Sequence, residues 1–225
     1  AEQVSAELTK VELLLKNERE GLGRAIRDYA VWNDAYEYVN QPNRKFESDN
    51  FTQQSLDVMQ LDFVAMMTAP DKLLFSSALD SAIPDLKATP AIRSSSLLSL
   101  LAKLPEWQTG VDGAAKPKTY LTMHNGRALI ISVSGIFDSL QEKPSSGLMI
   151  FGRYMDDDDL KRLQQLAEIR LELLASVPPK KSANSFFHTE QTARKQLEGW
   201  QTPVMWLQVS KDINWQPRYM LMAIF

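Results

Sequence analysis

Cysteine is absent from the 225 residues, so disulfides, thiolate metal ligands and thiol nucleophiles are excluded. A chain without thiols also suits an oxidising compartment, where stray cysteines would be modified. Histidine is scarce: His124 and His188 are the only two, and neither has a second His at ligand spacing, so the sequence carries no metal-site signature. No apolar run approaches the roughly 20 residues that cross a bilayer, and Ala1 to Lys10 lacks the basic-then-apolar plan of a signal peptide. Neither sign of charge dominates: 25 basic and 28 acidic residues give a net charge of -3, spread along the chain, which offers no basic surface for nucleic acid. A nucleophile elbow, a phosphate-binding glycine loop and a Ser-His-Asp set are all missing. The expectation is therefore a non-enzymatic chain that needs no cofactor. It starts inside what reads as a helix and ends inside what reads as a strand, as an excised piece with something attached at both ends would.

At 44% hydrophobic and 24% charged residues, the composition is that of a globular protein long enough to bury a substantial core. Its first 39 residues hold a seam at Val4, Leu8, Val11, Leu15, Glu18, Leu22, Ala25, Tyr29, Trp32, Tyr36 and Val39. The spacings alternate four and three, a 3.5-residue period that predicts one long helix over residues 1–40. At 1.5 Å per residue that helix would reach roughly 58 Å, so part of it is expected to project as a stalk or to pair with a second copy in a homodimer. Gly21 and Gly23 interrupt it. Each costs up to about 1 kcal/mol relative to Ala, and they read either as a flex point between stalk and body or as a tolerated glycine pair.

Pro42 and Asn43 end the helix. A short helix capped by Ser48 or Asp49 is expected to run to about Met59, followed by strands Leu61 to Met67 and Lys72 to Ala78 in a hairpin. Thr89 and Pro90 open a predicted helix through Leu104 that Pro105 stops. Tyr120 to His124, Asn125-Gly126 and Ala128 to Phe137 form the strongest hairpin signature, and Gly147 to Tyr154 adds a strand. A helix is expected over Asp156 to Ala175; its four leading aspartates read as a solvated N-terminus that complements the helix dipole, since they lack the spacing of a calcium loop. Pro178-Pro179 breaks it. Residues 182–200 are polar and poorly readable, and Val204 to Ser210 and Trp215 to Phe225 close the chain as strands. Helices and strands in this order predict an α+β fold, a long N-terminal helix packed on an antiparallel sheet with a C-terminal helix and closing strands. We expect one unit over 1–225, divided into a stalk helix (1–40), a sheet core (41–155) and a membrane-proximal end (156–225).

On a continuous helix Asp28, Trp32 and Tyr36 fall at i, i+4 and i+8, a carboxylate, an indole and a phenol along one stripe flanked by Tyr29 and Asn33. Such a stripe either walls a small-ligand pocket, with rings supplying area and the carboxylate orientation, or packs as core. Asp34 points away from it and is expected to tie the following loop to the helix. The segment Asp28 to Tyr36 resembles the CHASE4 family of bacterial extracellular sensor domains, whose hallmark is an acidic residue, Trp, two acidic or amide residues and an aromatic late in a long helix. Those positions are Asp28, Trp32, Asn33, Asp34 and Tyr36. The similarity continues through Asn43 to Leu56, the Leu61 to Phe75 hairpin and Gly147 to Asp156, which carries the family's Gly-Arg strand end as Gly152-Arg153. Pro217-Arg218 resembles the membrane-proximal end.

The resemblance implies a Cache/PAS-like periplasmic sensor set between two transmembrane helices of an inner-membrane protein. Its output would be a cytoplasmic diguanylate cyclase, cyclic-di-GMP phosphodiesterase or histidine kinase. The implied ligand site comprises Asp28, Tyr29, Trp32, Asn33, Tyr36 and Arg153. Arg153 reads as an ion-pair partner for Asp28 or Asp34, or as a contact for an anionic ligand group. Asn33 stands where the family commonly has an acidic residue, which removes one negative charge from that site. Asp80 to Lys118 has no counterpart in the resemblance. A ligand-free interaction module, with residues 1–20 pairing between chains or binding another periplasmic protein, is the competing reading.

Overall fold

The apolar seam coils into helix over most of its length and then fails at one point. In the computed structural model, which describes residues 2–79, 96–111, 116–124, 127–155, 157–167, 170–174, 194–196, 204–211 and 217–224, α1 spans Glu2–Ala30 and α2 spans Asn33–Asn40. Two short helices follow, α3 (Arg44–Asn50) and α4 (Gln53–Val58), then β1 (Phe63–Ala69) and β2 (Lys72–Ala78). After α5 (Ser96–Leu101) and α6 (Glu106–Thr109) come β3 (Lys118–His124), β4 (Arg127–Gly135) and β5 (Leu148–Met155). The chain closes with α7 (Asp157–Ala167), β6 (Arg170–Leu174), β7 (Arg194–Gln196), β8 (Val204–Lys211) and β9 (Pro217–Ile224). This is the α+β class the sequence predicts.

Two compact units emerge, one of Ala1–Glu20, Tyr120–Leu129 and Met155–Phe225, the other of Gly21–Thr119 and Ile130–Tyr154. A five-stranded sheet runs in the order β2-β1-β5-β4-β3, and a four-stranded one in the order β6-β9-β8-β7. In the second unit β1 lies antiparallel between β2 and β5, with Val64 opposite Ser77 and Phe151, and Met66 opposite Phe75 and Met149. Directly opposed residues share a face, so Val64, Met66, Phe75, Ser77, Met149 and Phe151 form one side of the sheet. By alternation along β5, Arg153 falls on that same side. On the other side Phe63 stands opposite Gly152. In the first unit α1 and α7 are joined by Arg162, whose guanidinium donates to Glu18 Oε1 at 2.8 Å and to Asp159 Oδ1 at 3.4 Å, beside the buried Leu15 and Leu163.

Three expectations need correction. The helix expected over 1–40 is broken at Val31 and Trp32, because the stretch just after β4 offers backbone partners there; Val31 makes a single parallel bridge with Phe137. The helix expected over 156–175 stops at Ala167, and Arg170–Leu174 is the strand β6, paired in parallel with β9 from Arg170↔Arg218 to Leu174↔Met222. A strand partner far along the chain overrides the helix propensity of this Leu-rich stretch, as tertiary context does elsewhere. The helix expected from Ser48 or Asp49 is two helices, with Asn43 accepting from the Phe46 N–H at 2.9 Å and Thr52 from the Ser55 N–H at 3.1 Å. These are ordinary side-chain N-caps.

Thr89-Pro90, the Asn125-Gly126 turn, Pro178-Pro179 and most of 182–200 lie outside the described residues. Gly21 and Gly23 stay within an uninterrupted α1, and a methyl group added at Gly21 would meet nothing within 4 Å. The boundary between the two units falls at Glu20/Gly21.

Candidate functional site at the end of the first helix

The break is built from backbone. Trp32 is extended, with φ -153° and ψ 134°, and its N–H donates to the Phe137 carbonyl at 3.1 Å instead of to the helix turn before it. Phe137 in turn donates its N–H to the Ala30 carbonyl at 3.0 Å. One residue on, Asn33 and Ser139 exchange bonds: the Asn33 N–H reaches Ser139 Oγ at 3.2 Å, and the Ser139 N–H reaches Asn33 Oδ1 at 2.9 Å. The end of α1, the start of α2 and the stretch after β4 are thus stitched together by four hydrogen bonds. The β4–β5 connection is itself held by Asp138, whose carboxylate accepts from the Lys143 N–H at 3.0 Å and the Glu142 N–H at 3.4 Å. Burial pushes this carboxyl up, but those backbone N–H groups and the nearby Lys143 charge hold it below the usual carboxylate range.

Because two residues leave the helix, the buried positions change register. Ala35 and Tyr38 are the buried residues of α2, and Tyr36 and Val39 of the sequence seam are only half-buried. Tyr38, 1% exposed, stacks on Phe46 with ring centroids 4.6 Å apart and meets Phe75 edge-on at 6.1 Å. Its hydroxyl donates to Glu47 Oε1 at 2.7 Å. Burial, and then that hydrogen bond and charge, raise the phenol well above its ordinary range, so it remains a donor. Phe51 links this pair to the sheet, with Tyr29, Phe46, Phe75 and Phe151 at 5.5 to 6.5 Å from its ring centroid. Aromatic pairs in such offset and edge-on geometries add about 0.5–1.5 kcal/mol each beyond their buried area.

The predicted stripe does not exist as one face, since the break lies between Asp28 and Tyr36. Asp28 sits exposed in the last turn of α1 and, among the described residues, has no hydrogen bond or ion pair. Tyr29 is half-buried against Phe51 and Phe151, and half-buried Trp32 meets Tyr29 at 6.5 Å and Phe46 at 5.7 Å. Asn33, exposed, is engaged with Ser139, while the Tyr36 ring lies under the Lys143 ammonium at 5.3 Å. Asp34 is exposed, and its charge acts across the α2–α3 connection on Lys45, whose ammonium is raised chiefly by Asp49 at 2.7 Å. Arg153 is half-buried on β5. The residues that sequence reasoning did not single out are Tyr38, Phe46, Phe51, Ser139 and Lys143. Phe46 and Phe51 carried a signal, aromatics within the Asn43 to Leu56 stretch of the resemblance, and Tyr38 lies between its two stretches; Ser139 and Lys143 carried none, being brought in by the turn after β4.

Among the described residues no helix is long and apolar enough to cross a membrane, and no group of three His, Asp or Glu side chains is placed to hold a metal ion. A family model described as the CHASE4 domain matches residues 14–174. The methanogenesis regulatory histidine kinase FilI of Methanothrix harundinacea is 27% identical over 169 residues, which make up 73% of this chain. The matched region covers 18% of that kinase.

Proposed function

The chain belongs to the CHASE4 domain family, a family of sensor domains, and from that membership we propose that it is the periplasmic sensory domain of a membrane-anchored signalling protein. A small ligand bound at the end of α1 changes the pose of that helix, which carries the change toward a cytoplasmic output. The observation that carries this reading is that the family match spans both α1 from residue 14 and the joint where α1 is hydrogen-bonded to Phe137, just after the end of β4. Any displacement of that strand end acts directly on the helix. Similarity to a regulatory histidine kinase supports a kinase as output, with a diguanylate cyclase or cyclic-di-GMP phosphodiesterase as the other outputs that the family resemblance brings. The ligand contacts are the half-exposed Trp32, Tyr29 and Tyr36, with Asp28, Asn33 and Arg153 as polar partners. Lys143 over the Tyr36 ring, and an amide at Asn33, argue against a strongly cationic ligand. The 3.5-residue seam supports pairing of two copies through α1, and this chain performs no chemistry of its own.

Thermal melting of the 225-residue domain against small carboxylates, aromatic compounds and organic amines tests the binding step. At 100 times its dissociation constant a bound compound adds about 2.7 kcal/mol, a clear upward shift. We expect at least one carboxylate or aromatic class to give it and a Tyr36→Ala variant to lose it. No shift with any class would leave the ligand-free dimerisation reading in its place.

A further inference from the structure

We propose that the Val31–Trp32 break is a two-state latch: closed as described, and open when residues 31–40 rejoin α1 as one continuous helix and release Phe137 and Ser139. This deepens the sensory reading above and rests on it for its biological meaning.

The sequence and the structure pull in different directions at this point. The four-three spacing of apolar residues runs without interruption from Tyr29 through Trp32 and Tyr36 to Val39, which is the pattern of a helix that continues. The closed state instead spends the Trp32 N–H on Phe137, the Asn33 N–H on Ser139 and the Ala30 carbonyl on the Phe137 N–H. A continuous helix would supply each of those groups with an intrahelical partner. Opening therefore gives the helix groups new partners and releases the exposed Asn33 and Ser139 groups to water, but it strips the buried Phe137 N–H and carbonyl of theirs. What holds the latch closed is the pairing of the buried Phe137 N–H and carbonyl together with the burial of Ala35 and Tyr38, which requires the changed register of α2. The open state is accordingly the minor one. All of the partners outside the helices lie in Phe137–Ser139, just after β4 and at the start of the turn fixed by Asp138, so the latch couples one short stretch of the β4–β5 connection to the end of α1.

Asn33 allows the two states to be separated. It is the first residue of α2, where proline is readily accommodated, and Trp32 before it already has the extended backbone that a following proline favours. In a continuous helix the same proline would clash with the carbonyl four residues earlier. Asn33→Pro and Asn33→Ala with Ser139→Ala both remove the two Asn33–Ser139 bonds and keep those of Phe137, but only the proline forbids the open state.

The chain has no native cysteine, so spin labels can be placed at the exposed positions Arg24 and Asn40 through Arg24→Cys and Asn40→Cys in the full 225-residue chain. A continuous helix sets their Cα atoms about 24 Å apart, and the Asn33→Pro variant gives the reference distribution of the closed state. We expect pulsed electron resonance to show a minor continuous-helix component in the otherwise unaltered protein. It should grow about tenfold in Asn33→Ala/Ser139→Ala, as the loss of two exposed hydrogen bonds allows, and vanish in Asn33→Pro. The same distribution in all three proteins overturns the latch. If Asn33→Pro does not fold, the comparison of Ser139→Ala with the unaltered chain decides by the same criterion. No ligand enters the measurement: a compound that raises the melting temperature while no variant shows a second component sinks the latch and leaves the sensory reading standing.

Discussion

Replacing Phe51 by alanine is expected to cost about 3 to 5 kcal/mol, the range for removing a buried aromatic side chain from a core that only partly collapses. The residue is 3% exposed and its ring meets four others, Tyr29 on α1, Phe46 on α3, Phe75 on β2 and Phe151 on β5. Its loss leaves a hole bordered by elements that are themselves tied down: α3 by the Asn43 cap, the loop after it by the Ser77 hydroxyl on the Phe51 carbonyl at 2.8 Å, and α1 by the Phe137 N–H on the Ala30 carbonyl. Little relaxation is available, which places the value toward the upper end. Domains of this size are stable by about 5–15 kcal/mol in total, so the variant should unfold at a much lower urea concentration. Val58→Ala, at a site 76% exposed, should change stability by less than about 0.5 kcal/mol and serves as the contrast. A Phe51→Ala penalty as small as that of Val58→Ala would mean that the rings do not pack as described.

Gly152→Ala should destabilise the protein by about 3 kcal/mol, at the upper end of the usual overpacking penalty. Gly152 on β5 stands directly opposite Phe63 on β1, and a Cβ built at Gly152 runs into the Phe63 ring. Phe63 is completely buried, so the ring has nowhere to swing without displacing its neighbours. An aromatic laid over a cross-strand glycine is a recurrent way of filling a sheet position that has no side chain. The cause can be isolated by a double-mutant cycle: Phe63→Leu removes the clash, so the pair should recover at least ~1 kcal/mol relative to the sum of the single changes. Additive losses measured by urea unfolding would show that the glycine is needed for something other than the ring.

The same two sites show what the amino-acid sequence reveals and what it conceals. The strands around Phe63 and Gly152 were legible because apolar runs of strand length are bounded by turn residues, and the Gly152-Arg153 pair was legible through the family resemblance. Nothing local says that Gly152 faces Phe63, since register is a property of two distant segments. The aromatic segment was legible as important but misread in geometry. Its 3.5-residue period continues through Val31 and Trp32, and only backbone bonds from Phe137, more than 100 residues away, convert those two residues to extended chain and turn Tyr38 rather than Tyr36 into the core. The β6 strand was concealed for the same reason, its pairing partner β9 lying some 40 residues further on. Arg170–Leu174 alone has the composition of a helix.

Trp32 and its neighbours consequently do not form one stripe on a straight helix. They lie at the joint where the end of α1 is bonded to the stretch after β4, with rings turned partly inward and the Trp32 backbone bonded to Phe137. Asn33 makes the joint reciprocal, with both its backbone and its side chain bonded to Ser139. Under the sensory function proposed above, such a joint would convert a change in the β4–β5 connection into a change in helix pose, by an amount limited to the ligand's differential affinity for the two poses.

Amide hydrogen exchange of the 225-residue domain, with and without a compound that raises its melting temperature, tests that coupling most directly. The predicted result is added protection in two places at once, the segment from Phe137 to Lys143 and the end of α1 from Ile26 to Asn33. A compound that binds, slows exchange elsewhere and leaves the end of α1 unchanged would contradict it.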